Sequence, residues 1–142
     1  MQKKPPDSQP FIPEKPGAHQ IDKNQGHHVE RGKRGEDRAA QYLEQAGIQI
    51  ITRNFRSFYG EIDIIALDGE TLVFAEVKNW SVYNIENLQY SVNAQKQRRI
   101  IETAKYFLSV NRKYNEKAVR FDVIFVGNDA ITYLAGAFME RV

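Results

Sequence analysis

The sequence of 142 residues contains no cysteine, and this absence removes two kinds of chemistry. Thiolate zinc sites and cysteine nucleophiles are excluded, and a chain without thiols suits a reducing compartment. The chain also has no run of 18 apolar residues, and its first residues lack the continuous apolar stretch of a signal peptide. We therefore predict a cytoplasmic protein without a membrane-spanning segment.

Histidine and proline are absent from most of the chain. All five prolines and all three histidines precede Val29, in a stretch with few large apolar side chains. Such a stretch cannot bury enough surface to offset the entropy lost on ordering. We therefore predict that residues 1–30 form a disordered or loosely docked extension and that residues 31–142 form one domain, without histidine for catalysis or zinc binding.

The net charge of +2 is too small to indicate a nucleic-acid partner by itself. Basic side chains nevertheless cluster in two places, around Lys33 and around Arg98 and Arg99. A solvated helix face is the simpler interpretation of either cluster alone, and contact with phosphate groups is the alternative.

Hydrophobic periodicity predicts two helices and five strands. The expected order is helix, three strands, helix, two strands, which is typical of an α/β domain built around a mixed sheet. Asp122 falls within a predicted strand, and we expect it to pair with Arg56 or Arg120 as a structural residue. The predicted elements span residues 32–47, 48–55, 61–67, 71–78, 91–108, 119–127 and 130–138.

The second and third predicted strands carry charges within otherwise apolar runs. If Asp68–Gly69 forms a two-residue turn, Asp63 faces Phe74 across the hairpin. Asp63 then becomes a diagonal neighbour of Glu76, on the order of 7 Å away. Because side chains two residues apart on a strand point to the same face, Lys78 joins these carboxylates.

Two carboxylates and a lysine on one sheet face have two interpretations. Carboxylate oxygens are preferred ligands of Mg²⁺ and Mn²⁺, and a nearby lysine can neutralise charge that develops on a phosphate. Alternatively, Asp63, Glu76 and Lys78 form a buried ion network, since buried charges require partners. The spacing leaves both interpretations open.

Four stretches of the sequence form a recognisable set of motifs: RGKRGEDRAAQYL from Arg31, GEIDIIA from Gly60, LVFAEVK from Leu72 and RFDVI from Arg120. Together they resemble the YraN-like family of bacterial proteins. By resemblance this family belongs to the PD-(D/E)xK nuclease superfamily and is similar to archaeal Holliday-junction resolvases. The resemblance implies a restriction-endonuclease-like core.

The resemblance also implies roles for the charged strand residues. Asp63 and Glu76 would bind Mg²⁺ or Mn²⁺, with the Val77 carbonyl as a third ligand. Lys78 would be the catalytic lysine.

The helices would complete this site. Glu36 would contribute from the first helix. A polar residue of the second helix often points into the site of related nucleases, and Lys96 is a better candidate than Gln95. A lysine that merely extends over the sheet is the alternative for Lys96.

The implied function is hydrolysis of DNA phosphodiester bonds, with branched or single-stranded DNA favoured over plain duplex. Arg98, Arg99 and Lys33 are candidates for binding the substrate, and Trp80 would stack on an unpaired base or pack beneath its loop. Symmetric cutting of a junction would require a homodimer. The competing hypothesis is a nuclease-fold module that binds DNA or a protein partner without cutting.

Overall fold

The computed structural model describes residues 26–79 and 92–140, with side chains described from residue 33 onward in the first helix. The elements follow the predicted order, which confirms the α/β fold class. No helix of the described part is long and apolar enough to cross a membrane. The elements are α1 (Gly26–Gln45), β1 (Gln49–Arg56), β2 (Glu61–Asp68), β3 (Thr71–Asn79), α2 (Ala94–Val110), β4 (Ala118–Val126) and β5 (Ile131–Phe138).

Local signals in the sequence set the helix ends near the site. Gly47 follows α1 with a φ of +81°, and the N–H of Ile48 donates to the Leu43 carbonyl at 2.9 Å, which stops the helix. At the start of α2, the Asn93 side chain accepts a hydrogen bond from the Lys96 N–H at 2.9 Å. This cap makes α2 begin at Ala94, three residues later than predicted.

The five strands form one mixed sheet in the order β1-β2-β3-β4-β5. Only β3 and β4 run parallel, and the chain passes from one to the other through α2. Both faces of the sheet are covered by apolar side chains. One cluster lies beside α2 and includes Phe55, Phe74 and Phe107. The other lies beside α1 and includes Leu43, Ile64 and Ile124.

The predicted hairpin register was wrong by two residues. Asp68 pairs with Thr71, so the turn consists of Gly69 and Glu70. Gly69 has a φ of +59° at the first central position, as a type II′ turn requires. Because the shift is an even number of residues, it does not by itself move any side chain to the opposite face. Continued past the last observed pair, this register places Asp63 directly beside Glu76 instead of diagonal to it.

A second difference from the predicted structure lies in β2, next to Asp63. The alternation predicted Ile62 and Ile64 on one face, but Ile62 lies in the α2-side cluster and Ile64 in the α1-side cluster. On the neighbouring strand, Asn54 has a φ of +55°, a left-handed conformation that asparagine tolerates better than most residues. The regular alternation of β2 is therefore broken next to Asp63.

Candidate active site

A cavity of about 360 Å³ opens where β2 and β3 meet the first turns of α2. Strands supply its carboxylates and the helix supplies its cations. Its lining includes four of the predicted site residues, Asp63, Glu76, Lys96 and Arg99. The charged and polar lining consists of Glu61, Asp63, Glu76, Asn93, Gln95, Lys96 and Arg99.

Asp63 lies where the observed pairing of β2 with β3 has ended. Its Oδ2 accepts a hydrogen bond from the Val77 N–H at 2.8 Å, in place of a strand carbonyl. Burial and the negative charge of Glu76 together raise the pKa of Asp63 to about 8. At neutral pH this carboxyl therefore keeps its proton and hydrogen-bonds Glu76.

Glu76 is buried on the same side and contacts two lysines. Lys96 Nζ lies 2.5 Å from Glu76 Oε1, and Lys78 Nζ lies 3.8 Å from the same atom. Glu76 is only 6% exposed, so these cations offset most of the cost of burying its charge. The sequence predicted Lys78 beside Glu76, but the structure gives Lys96 the shorter contact.

The two lysines lie within hydrogen-bonding reach of each other and differ in acidity. Burial and the neighbouring Lys96 lower the pKa of Lys78 below its usual range. Burial, the largest single influence, lowers the pKa of Lys96, but the hydrogen bonds to Glu76 and Lys78 and the negative charges of Glu76 and Asp63 together outweigh it and raise this pKa. Lys78 therefore releases a proton more readily than Lys96 does.

Glu36 reaches the rim of the site from α1. With the amide of Asn54 oriented to donate, Asn54 Nδ2 lies 2.9 and 3.2 Å from the Glu36 oxygens and 3.1 Å from Glu61 Oε1. Burial raises the pKa of Glu36, although the positive charge of Arg53 opposes the change. Asn54 was not predicted as a site residue, because its only signal in the sequence is an asparagine within an otherwise strand-like segment.

The donors at this site suit a hard divalent cation. Asp63 and Glu76 provide carboxylate oxygens, and the hydrogen bond from its N–H to Asp63 holds the Val77 peptide beside them. Across the described ranges, no three His, Cys, Asp or Glu side chains cluster as ligands would. Two carboxylates with a backbone carbonyl are thus the donor set that the described residues offer at this site, and Lys96 supplies positive charge next to it.

The predicted substrate-binding residues do not lie together. Arg99 lines the cavity, Arg98 is exposed on α2 outside it, and Lys33 is exposed on α1. Trp80 lies outside the described residues. A second cavity, of about 440 Å³, is lined by another set of polar residues that includes Arg34, Arg38, Asn79 and Asn128.

Asp122 belongs to a separate polar network, as the sequence predicted. Its carboxylate accepts hydrogen bonds from Arg120 Nε and from the Gly136 N–H, each at 2.9 Å, and from the Tyr133 hydroxyl. Arg120 also donates to Asp68 at 3.0 Å. Asp122 is fully buried and lines neither cavity, so its role is to join β4 to β5.

Comparison with known proteins gives one consistent family. The pattern of the family described as "Uncharacterised protein family UPF0102" matches residues 35–126. A "UPF0102 protein" of Treponema pallidum is 47% identical over 118 residues, covering 78% of this chain and 94% of that protein. One from Persephonella marina is 43% identical over 108 residues, covering 76% and 92%. One from Francisella tularensis is 35% identical over 111 residues, covering 78% and 95%.

Proposed function

The chain belongs to the UPF0102 (YraN-like) family, and from the geometry of its acidic site we propose that it is a metal-dependent endonuclease acting on DNA. The observation that carries the proposal is the placement of Asp63 beside Glu76, next to Lys78 and Lys96. This is the D…ExK constellation of the nucleases that the sequence resembles.

The charge balance supports a metal site over a purely structural network. Glu76 has two lysine partners, but among the described residues no basic group lies within 4 Å of the Asp63 carboxylate. An ion network that served only stability would pair each buried carboxylate with a cation. Asp63 instead keeps a proton at neutral pH in the metal-free protein. A divalent cation would balance the second negative charge that Asp63 and Glu76 carry once Asp63 loses this proton.

Each residue of the site has a role in this proposal. Asp63, Glu76 and the Val77 carbonyl would bind Mg²⁺ or Mn²⁺, which when bound supplies positive charge for the phosphate oxygens and acidifies the attacking water. Lys78, which lies 3.8 Å from Glu76 Oε1, would face the scissile phosphate and neutralise charge that develops there. Lys96 balances the charge of Glu76.

Glu36 adds an acceptor at the rim of the site. Asn54 holds its carboxylate next to Glu61, so α1 and the β1–β2 hairpin together fix its position. With its raised pKa, Glu36 can exchange a proton with water nearer to neutral pH than an ordinary glutamate can.

The substrate proposal extends to branched or otherwise unpaired DNA. It draws on the resemblance to Holliday-junction resolvases and on Arg99, which adds a positive charge to the cavity lining. Symmetric cutting of a four-way junction would involve a two-fold dimer. A cytoplasmic location agrees with such a role.

The test is cleavage of labelled four-way junction, flap, single-stranded and duplex DNA in Mg²⁺, Mn²⁺ or EDTA. We expect cutting that requires metal and is lost in Glu76→Ala and Lys78→Ala. Asp37→Ala, which removes an exposed carboxylate of α1 paired with Arg53, should cut normally. Equal cutting by all four proteins would show that Glu76 and Lys78 are not the active site.

One contact favours the alternative of a module that binds DNA without cutting it. Lys96 Nζ lies 2.5 Å from Glu76 Oε1, so it already supplies the positive charge that a metal would bring. In that case Mn²⁺ would neither stabilise the protein nor support cutting, although junction DNA would still bind. Thermal unfolding with and without Mn²⁺ therefore separates the two functions independently of the nuclease assay.

A further inference from the structure

The turn between β1 and β2 exposes two aromatic rings close to the candidate active site. This aromatic turn comprises Ser57, Phe58, Tyr59 and Gly60. The side chain of Phe58 is 99% exposed and that of Tyr59 is 48% exposed. Phe58 therefore gains no burial energy within the described structure, although a phenylalanine side chain ordinarily gains about 1.5–3 kcal/mol on burial.

The aromatic turn is held firmly against α2. The Ser57 N–H donates to the Gly60 carbonyl at 2.8 Å, and the Ser57 hydroxyl donates to Thr103 Oγ1 at 3.2 Å. The Tyr59 N–H donates to Ser57 Oγ at 3.0 Å. These bonds fix the turn, so the exposure of Phe58 comes from a defined backbone geometry.

The same contacts tie the turn to the cavity. The Thr103 hydroxyl, which accepts from Ser57, donates to the carbonyl of Arg99 at 2.7 Å. Gly60 lies in the cavity lining together with Arg99 and Asp63. Phe58 is five residues from Asp63, so their Cα atoms lie at most about 18 Å apart, the length of a fully extended chain. This upper limit corresponds to about five base-pair steps of DNA.

The two rings also support each other. Phe58 and Tyr59 pack edge to face, with ring centroids 5.8 Å apart and planes 83° apart. This geometry is favourable for aromatic pairs and leaves the faces of Phe58 open. An open aromatic face near a cavity whose lining includes the cations Lys96 and Arg99 suits single-stranded nucleic acids, which bind through stacking and phosphate contacts together.

We propose that Phe58 is a stacking site for an unpaired nucleobase near the scissile phosphate. In paired DNA the bases already stack on each other, whereas an unpaired base at a junction, flap or single strand has a free face. Phe58 thereby favours branched or single-stranded DNA over duplex. This inference rests on the proposed nuclease function for its substrate class, but it concerns binding and is tested without cutting.

The experiment measures DNA binding in EDTA by fluorescence anisotropy and by the fluorescence of 2-aminopurine placed at an unpaired position. Phe58→Ala should weaken binding of single-stranded and flap DNA by about 5- to 150-fold, the range expected for one stacked base. Duplex affinity should change less than two-fold. Phe58→Trp should retain binding, and wild type but not Phe58→Ala should quench 2-aminopurine.

Met139→Ala is the matched control, since Met139 is another exposed apolar side chain, 75% exposed, and lies away from the cavity. It should bind every DNA as wild type does. Because Phe58 is almost fully exposed, Phe58→Ala should unfold at the wild-type temperature. A protein-binding role for the ring would leave DNA affinity unchanged in Phe58→Ala, and that result would overturn the proposal.

Two further outcomes separate this inference from the nuclease function. Equal loss of affinity for duplex and single strands in Phe58→Ala would show contact without base stacking and would also overturn it. Selective loss for unpaired DNA in a protein that never cuts would support stacking and argue against the nuclease. Failure of the wild type to bind any DNA in EDTA would overturn the stacking proposal, whereas the nuclease function is decided separately by the cleavage assay with metal.

Discussion

The Asp63→Asn substitution tests the electrostatics of the site most directly. Asparagine has the shape of a protonated aspartic acid, can accept the Val77 hydrogen bond and can donate to Glu76. It removes only the ionisation of this residue. We therefore expect Asp63→Asn to stabilise the metal-free protein near neutral pH while it abolishes divalent-metal binding.

The magnitude follows from the pKa of Asp63. Its value of about 8 in the folded protein lies well above its ordinary value of 3.8. An acid with a raised folded pKa stabilises the fold most below about pH 4, and this contribution declines as the pH rises toward about 8. One proton is worth about 1.4 kcal/mol per pH unit in this window. Between about pH 5 and about pH 7 the wild type should thus lose at most about 2.7 kcal/mol relative to Asp63→Asn.

The assay is urea unfolding of both proteins in EDTA at several pH values from about 5 to 8. Other titrating groups act equally on both proteins, so the difference in their free energies of unfolding isolates Asp63. We expect this difference to grow in favour of Asp63→Asn by about 1.5–2.7 kcal/mol from pH 5 to pH 7. Addition of Mn²⁺ at pH 8 should stabilise the wild type alone.

The matched control is Asp37→Asn on α1, whose carboxylate is about half exposed and pairs with Arg53. Asp37→Asn should change the free energy of unfolding by no more than about 1 kcal/mol, and this change should be the same across this pH range. A wild-type minus Asp63→Asn difference that is flat with pH would refute the reasoning, because Asp63 would then ionise in the folded protein as it does in the unfolded chain. A substitution that destabilises at every pH would refute it as well.

Three further predictions concern the rest of the chain. Mn²⁺ affinity, measured by calorimetry, should rise with pH up to about 8 because binding must displace the Asp63 proton, and affinity independent of pH would contradict this. Arg99→Ala, at the cavity, should reduce the salt dependence of DNA binding by about one phosphate contact, whereas Arg98→Ala, which lies outside it, should change it less. Asp122→Ala should destabilise the fold by about 3–5 kcal/mol in urea unfolding, because it removes the buried acceptor shared by Arg120, the Tyr133 hydroxyl and the Gly136 N–H; a loss below about 1 kcal/mol would contradict a structural role.

Most of the fold follows from patterns within the sequence. The two-sided apolar strands, the Gly47 helix stop and the α-β-β-β-α-β-β order were predictable because each depends on short-range periodicity and turn chemistry. The predicted β2–β3 register differed from the observed one by two residues. Asp-Gly and Gly-Glu are both acceptable two-residue turns, and only the packing of the strands selects between them. Since strand faces repeat every two residues, this error moved the site residues along the strand without changing their face.

The site was predictable in composition but not in its charge distribution. Asp63, Glu76 and Lys78 could be assigned to one face from spacing. The left-handed Asn54 and its bridge between Glu36 and Glu61 could not, because they depend on how two strands and a helix meet. Long-range contacts of this kind leave no periodic signal in the sequence.

The pairing of the two lysines shows why this matters for function. The motif alone presents Lys78 as the partner of Glu76, two residues away on the same strand. In the structure Lys96 makes the 2.5 Å contact and has the raised pKa, whereas Lys78 lies 3.8 Å away and has the lowered one. Lys96, on α2, is thus the main partner that neutralises the Glu76 carboxylate. That arrangement leaves the strand lysine with a weaker hold on its proton, which is the property that proton transfer to or from a phosphodiester requires.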